Sequence, residues 1–73
     1  MRRVSVDIYE GEEREPILTH TAYGTTRAEA LNLIVTHSQY DAFLRAALSQ
    51  EIAPGLYAGT FKGIPLRALV REE

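Results

Sequence analysis

The first stretch of regular alternation lies at the start of the chain. In "RVSVDIYE", Val4, Val6 and Ile8 fall on one side of an extended backbone and Ser5, Asp7 and Tyr9 on the other. A period of two with β-branched residues on one face predicts a half-buried strand. The polar run "GEERE", opened by Gly11, predicts a turn. After Pro16 the segment "ILTHTAY" returns to β-forming residues, so the two segments are expected to pair as an antiparallel hairpin. In the second strand Ile17, Thr19, Thr21 and Tyr23 share one face, and Leu18, His20 and Ala22 the other. The pattern does not say which face is inside.

The period changes at "GTTRAEALNLIV", where Gly24 is expected to let the chain turn from strand to helix. Thr26 with Glu29 three residues later forms a capping box: the hydroxyl accepts a free backbone N–H and the carboxylate reaches back to the cap. Ala30, Leu31, Ile34 and Val35 then make an apolar stripe at helical spacing. In phase, the stripe would continue near 38, 41 and 42, where the chain supplies Ser38, Asp41 and Ala42. A new stripe starts instead at Tyr40, Phe43, Leu44, Ala47 and Leu48. The phase shift predicts a break near 37–39, with Ser38 and Asp41 as a second capping box. Two short helices, about 26–36 and 39–49, are expected in preference to one kinked helix.

Pro54 and Gly55 are expected to stop the helical region. "GLYAGTF" and "IPLRALV" are β-like runs on either side of Lys62-Gly63, which predicts a tight turn. Leu66, Ala68 and Val70 point to a core, with Arg67 and Arg71 outward. Pro65 has no N–H, so the last strand is expected at a sheet edge, at least near its start. The order strand-strand-helix-helix-strand-strand predicts an α+β fold, in which an antiparallel sheet carries helices on one face in two layers. Residues 1–73 are read as a single small domain.

Composition narrows the functions more than it selects one. The chain has 73 residues, 45% hydrophobic and 25% charged, an ordinary globular balance. Cysteine is absent, which removes disulfides, thiolate metal ligands and a cysteine nucleophile. No apolar run reaches the roughly 18 residues of a membrane helix. "MRRVSVDIYE" has two arginines without a following apolar stretch, so it does not read as a signal peptide. A cytoplasmic protein with no membrane contact is expected. The net charge of −2 gives no global attraction to nucleic acid.

Candidate chemistry is sparse. The two histidines sit in similar pentapeptides, "THTAY" at 19–23 and "THSQY" at 36–40. Strand propensity accounts for the first and cap chemistry for the second, so the likeness reads as coincidence. His20 is expected at a surface cross-strand position and His37 at a helix-boundary hydrogen bond. Together with Asp7 or Asp41 they would make a metal site only if the fold brought them together, and no ligand spacing such as His-x-x-x-His is present. Ser5, Ser38 and Ser49 lack a nucleophile-elbow context. The glycines form neither a phosphate loop nor a dinucleotide pattern. The reading is a non-catalytic domain without cofactor or metal.

A protein-binding or regulatory module remains, with Tyr9, Glu12, Glu13, Tyr57, Arg67 and Arg71 as candidate partner-binding residues. Tyr23 is a further aromatic that a small core would leave over. Self-association through an edge strand near Pro65 is a second expectation. The alternative is nucleic-acid binding by a sheet face on which Arg2, Arg3, Lys62, Arg67 and Arg71 gather, with Tyr9, Tyr57 and Phe61 as stacking rings.

The central stretch "HTAYGTTRAEALNLIVTHSQYDAFLRAAL" resembles a pattern of short uncharacterised accessory proteins of bacteriophages, prophages and mobile elements. In these a strand ends in aromatic-Gly, Thr-x-x-Glu-Ala follows, and a His and Asp-x-Phe come about one helix later. The matching residues are Tyr23, Gly24, Thr26, Glu29, Ala30, His37, Asp41 and Phe43. The resemblance covers under half of the chain and implies an accessory protein that grips a host protein. It brings no activity and no catalytic residue. "AYGTTRAEAL" is also similar to the strand-to-helix junction of HicB-like antitoxins, which have a partial ribonuclease-H-like fold. The proline and glycine turn that normally precedes that junction is absent here.

Overall fold

The computed structural model describes residues 1–72. Seven elements follow in order: β1 (Arg2–Glu10), β2 (Leu18–Gly24), α1 (Arg27–His37), α2 (Asp41–Ala47), β3 (Glu51–Ala53), β4 (Leu56–Phe61) and β5 (Ile64–Glu72). The strands form one antiparallel sheet in the order β2-β1-β5-β4-β3, and the two helices pack on one face of it. The fold is therefore the α+β type expected.

The pairing register decides which face each residue takes. Val4, Val6 and Ile8 of β1 lie opposite Ala22, His20 and Leu18 of β2, and Val6 and Ile8 lie opposite Val70 and Ala68 of β5. Tyr57 and Gly59 lie opposite Ala68 and Leu66. All of these turn towards the helices. Ala30, Ile34 and Val35 of α1 and Phe43, Leu44 and Ala47 of α2 close the core from above. α1 covers β2 and β1, and α2 covers β4.

The helix break falls where the hydrophobic phase shifts. Thr26 caps α1 in extended conformation, its hydroxyl accepting from Glu29 N at 3.1 Å. The Glu29 carboxylate reaches Thr25 N at 3.4 Å, one residue before the cap itself. The second capping box does not form. Ser38 ends α1, and its Oγ accepts from Tyr40 N at 3.0 Å, closing a turn between the helices. α2 begins at Asp41, which places the acid at the first helical position and out of reach of a reciprocal bond. Its charge still suits the first turn of a helix.

Three further expectations are corrected. A fifth strand, β3, lies between α2 and β4, so Pro54 and Gly55 close a hairpin and do not end a helix. Glu51 holds that hairpin, its Oε2 accepting from Gly55 N and from the Tyr57 hydroxyl, both at 3.1 Å. β5 is the central strand, so Pro65 marks no edge. Pro65 lies one step past the last β1–β5 pair, Glu10 with Leu66, and its carbonyl accepts from Gly11 N at 2.9 Å. The reciprocal donor that proline lacks is replaced by Arg67, whose Nε donates to the Gly11 carbonyl at 2.7 Å. Gly24 needs no unusual backbone angle. A Cβ there would lie 2.7 Å from Ala30 N, so glycine lets α1 rest against the end of β2.

Lys62 and Gly63 form the predicted tight turn, both with positive φ, 52° and 81°. That combination is a type I′ hairpin turn, whose twist matches its strands.

Candidate interaction surface

The face of the sheet away from the helices has no second layer among the described residues. Arg3, Ser5, Asp7 and Tyr9 of β1 point into it, beside Thr19, Thr21 and Tyr23 of β2 and Arg67, Leu69 and Arg71 of β5. Leu56 of β4 lies opposite Leu69 and extends the surface.

A polar network runs through its middle. Ser5 and Asp7 are buried there although no helix covers them. Their neighbours on the flanking strands cover them instead. Ser5 Oγ and Thr21 Oγ1 are hydrogen-bonded at 2.8 Å, and Thr19 donates to Asp7 Oδ1 at 2.7 Å. Arg71 grips the same carboxylate through Nε at 2.8 Å and Nη2 at 3.2 Å. Burial would raise the Asp7 pKa, but the bonds from Arg71 and Thr19 and the Arg71 charge outweigh it and hold the carboxyl below its ordinary 3.8.

Arg67 is fixed as firmly. Its guanidinium carbon lies 4.9 Å from the centroid of the Tyr9 ring, and its nitrogens donate to the carbonyls of Gly11 and Glu13, each at 2.7 Å. The register places Tyr9 directly opposite Arg67, so the stack follows from strand pairing. The acidic turn curls over this end, with Glu13 N bonded to the Glu10 carbonyl at 3.1 Å. A hollow of about 390 Å³ results, walled by Tyr9, Leu56, Arg67 and Leu69 and by Glu12, Glu13 and Arg14 of the turn.

Four of the six candidate partner-binding residues, Tyr9, Glu12, Glu13 and Arg67, thus meet at one hollow. Arg71 lies further along the same face, on Asp7. Tyr57 does not belong to the group. It is 7% exposed, its ring is in the core, and its hydroxyl is taken by Glu51. Its position opposite Ala68 forces it to the helix side. Leu56 and Leu69, which complete the hollow, carried no signal as single residues. Only the β4–β5 register makes them a pair.

The arginine cluster forms only in part. Arg3, Arg67 and Arg71 share the open face, but Arg2 points to the helix side and pairs with Glu72, which also approaches Arg27. Lys62 is in the hairpin turn against Phe61, whose ring contacts Tyr40 in the core layer.

The histidines lie on different elements. His20 turns towards the helices opposite Val6, contrary to the expected surface position, and its buried Nε2 has no hydrogen-bond partner among the described residues. Val6 must face the core, and the register carries His20 with it. His37 is exposed in the last turn of α1. Among the described residues no three His, Cys, Asp or Glu side chains are grouped to hold a metal ion. No helix of these residues is long and apolar enough to cross a membrane.

No family model, curated protein or solved structure matches the chain.

Proposed function

We propose that this domain is a non-catalytic protein-binding module that presents the uncovered face of its sheet. The hollow at Tyr9, Arg67, Leu56 and Leu69 carries the reading. It combines an aromatic and an arginine anchor with an apolar floor, the residue types that dominate binding energy at protein interfaces. Arg67 is already immobilised by its ring and two carbonyls, so docking on it loses little side-chain entropy. The acids of the turn favour a partner that presents a basic residue beside an apolar anchor. The resemblance to phage and prophage accessory proteins adds that the partner is a host protein.

The nucleic-acid reading has less support. The Arg71 guanidinium neutralises Asp7, Arg67 lies under an acidic turn, and phosphate contact needs cationic groups in a favourable field.

The test is affinity capture from host lysate with the wild-type domain and with Arg67→Ala and Leu69→Glu variants, each checked for folding by circular dichroism. One stoichiometric protein, retained after nuclease treatment and lost with both folded variants, is the expected result. Capture that disappears with nuclease, or that both variants retain, overturns the proposal.

A further inference from the structure

The two edges of the sheet differ in how they are protected. β3 is three residues long, shifts register against β4, and runs into Pro54. Those are standard means of blunting an edge. β2 is seven residues long, without proline, lysine or any carboxylate. Among the described residues no strand lies outside it.

The exposed backbone of β2 can be identified. Gly11 bonds Pro65, so the odd residues of β1 turn their backbone groups to β5 and the even ones to β2. The partners of those even residues, Leu18, His20 and Ala22, therefore point inward along the sheet. The N–H and C=O groups of Thr19, Thr21 and Tyr23 point outward. Thr21 is the midpoint of the strand.

α1 adds a second line of contact along the same edge. Ala28, Leu31 and Val35 border Arg45 of α2 and Leu48, the residue that caps its end. Leu33 is two residues on from Leu31, so it lies on the opposite flank, the one overhanging β2. It is 40% exposed; Ile17, just before β2, and Tyr23, near its end, are 44% and 55% exposed. Leu33 is about 9 Å along the helix from Arg27, and Thr21 about 10 Å back along the strand from Gly24. The two therefore lie roughly level. Glu29 and His37 are four residues either side of Leu33, on the same flank.

We infer that β2 pairs with β2 of a second copy of this chain, antiparallel about a two-fold axis at Thr21. Thr21 meets its own copy, and Thr19 meets Tyr23 of the other chain. Every outward N–H and C=O of the three residues then finds a partner, and the two sheets become one. The same axis brings the α1 helices side by side, with Leu33 against Leu33 and Glu29 facing His37 of the other copy. An isologous contact sets identical groups near one another, so a strand without ionised side chains suits this arrangement. This edge is separate from the hollow at Tyr9 and Arg67.

Solution mass and amide exchange test it on the whole chain. Light scattering is expected to give twice the 8.2 kDa of one chain. Leu33→Asp, which sets two carboxylates together at the axis, is expected to weaken the dimer more than about tenfold. Exchange of the Thr19, Thr21 and Tyr23 amides in the wild type should slow as protein concentration rises. That readout decides the matter even if the variant fails to fold. Leu69→Glu should leave the mass unchanged, which separates this contact from the partner-binding hollow. A monomer at all concentrations, fast exchange at those three amides in a dimer, or a folded Leu33→Asp dimer of undiminished affinity overturns the inference.

Discussion

Gly59 and Phe43 offer a sharp test of how this small core is packed. Gly59 sits on the helix side of β4 opposite Leu66, directly beneath Phe43. A Cβ at that position would lie 3.2 Å from Phe43 Cε1, 3.3 Å from Cδ1 and 3.6 Å from Ala47 Cβ. Phe43 is the largest fully buried side chain, 1% exposed, so its ring has little room to move. Overpacking of this kind costs about 1–3 kcal/mol. Alanine returns about 0.5–1 kcal/mol through its smaller loss of chain entropy. The net expectation for Gly59→Ala is a loss of about 1–2 kcal/mol. That is a large share of the roughly 4–11 kcal/mol expected for a chain of this length. Phe43→Leu removes the offending ring atoms. If the ring contact is the cause, Gly59→Ala should become stabilising by up to about 1 kcal/mol in the Phe43→Leu background. The double-mutant cycle would then show a coupling equal to the overpacking cost, about 1–3 kcal/mol. Urea unfolding of the four proteins, followed by far-UV circular dichroism, measures it. Additive effects within about 0.5 kcal/mol would refute the argument.

Other consequences follow from single contacts. Gly24→Ala should destabilise by about 3 kcal/mol or more, because its Cβ would meet main-chain atoms of α1 that have no rotamer to change; a melting temperature within a few degrees of wild type would refute this. Thr26→Ala removes the α1 cap and should cost about 1 kcal/mol by urea titration. Lys62→Asn should raise stability by up to about 1 kcal/mol, since asparagine tolerates the positive φ that lysine holds there. Asp7 has a lower pKa folded than unfolded, so its contribution is complete above about pH 3.8 and is lost as pH falls through the folded value. Asp7→Asn should flatten that acid limb of the stability profile, measured by urea titration at a series of pH values.

Local patterns in the chain carried the elements, whereas the arrangement depends on relations between distant residues. The β1 alternation, the Thr26 cap, the break near Ser38 and the Lys62-Gly63 turn are each written within a few positions and were legible. β3 was not, because three residues give no period and its hairpin depends on Glu51 bonding Gly55 and Tyr57. The place of β5 was misread for a definite reason. Proline in a central strand is disfavoured only where its missing N–H leaves a carbonyl bare, and here Arg67 supplies the donor from two residues away. The candidate surface shows the same division. Tyr9 and Arg67 stood out by residue type, but which tyrosines remain outside depends on register. Tyr57 is paired with Ala68 and goes in, while Tyr23 is paired with Arg3 and stays out.

The open face also explains why polar residues occupy buried positions in so small a protein. A sheet covered on one side only must keep its other side compatible with water, yet the central strands β1 and β5 are flanked too closely for their side chains to be fully solvated. Apolar residues there would leave an exposed patch prone to association at random. Isolated polar residues would lose water without replacement. The chain instead links them: Ser5 to Thr21, and Asp7 to Thr19 and Arg71. Each bond spans two strands, so the network also fixes their register. The side chains around the hollow inherit that rigidity, since Tyr9 follows Asp7 on β1 and Arg67 and Leu69 precede Arg71 on β5. A surface ordered in this way by its own fold needs little reorganisation to receive a partner, and so the polar network and the proposed binding role have a common physical basis.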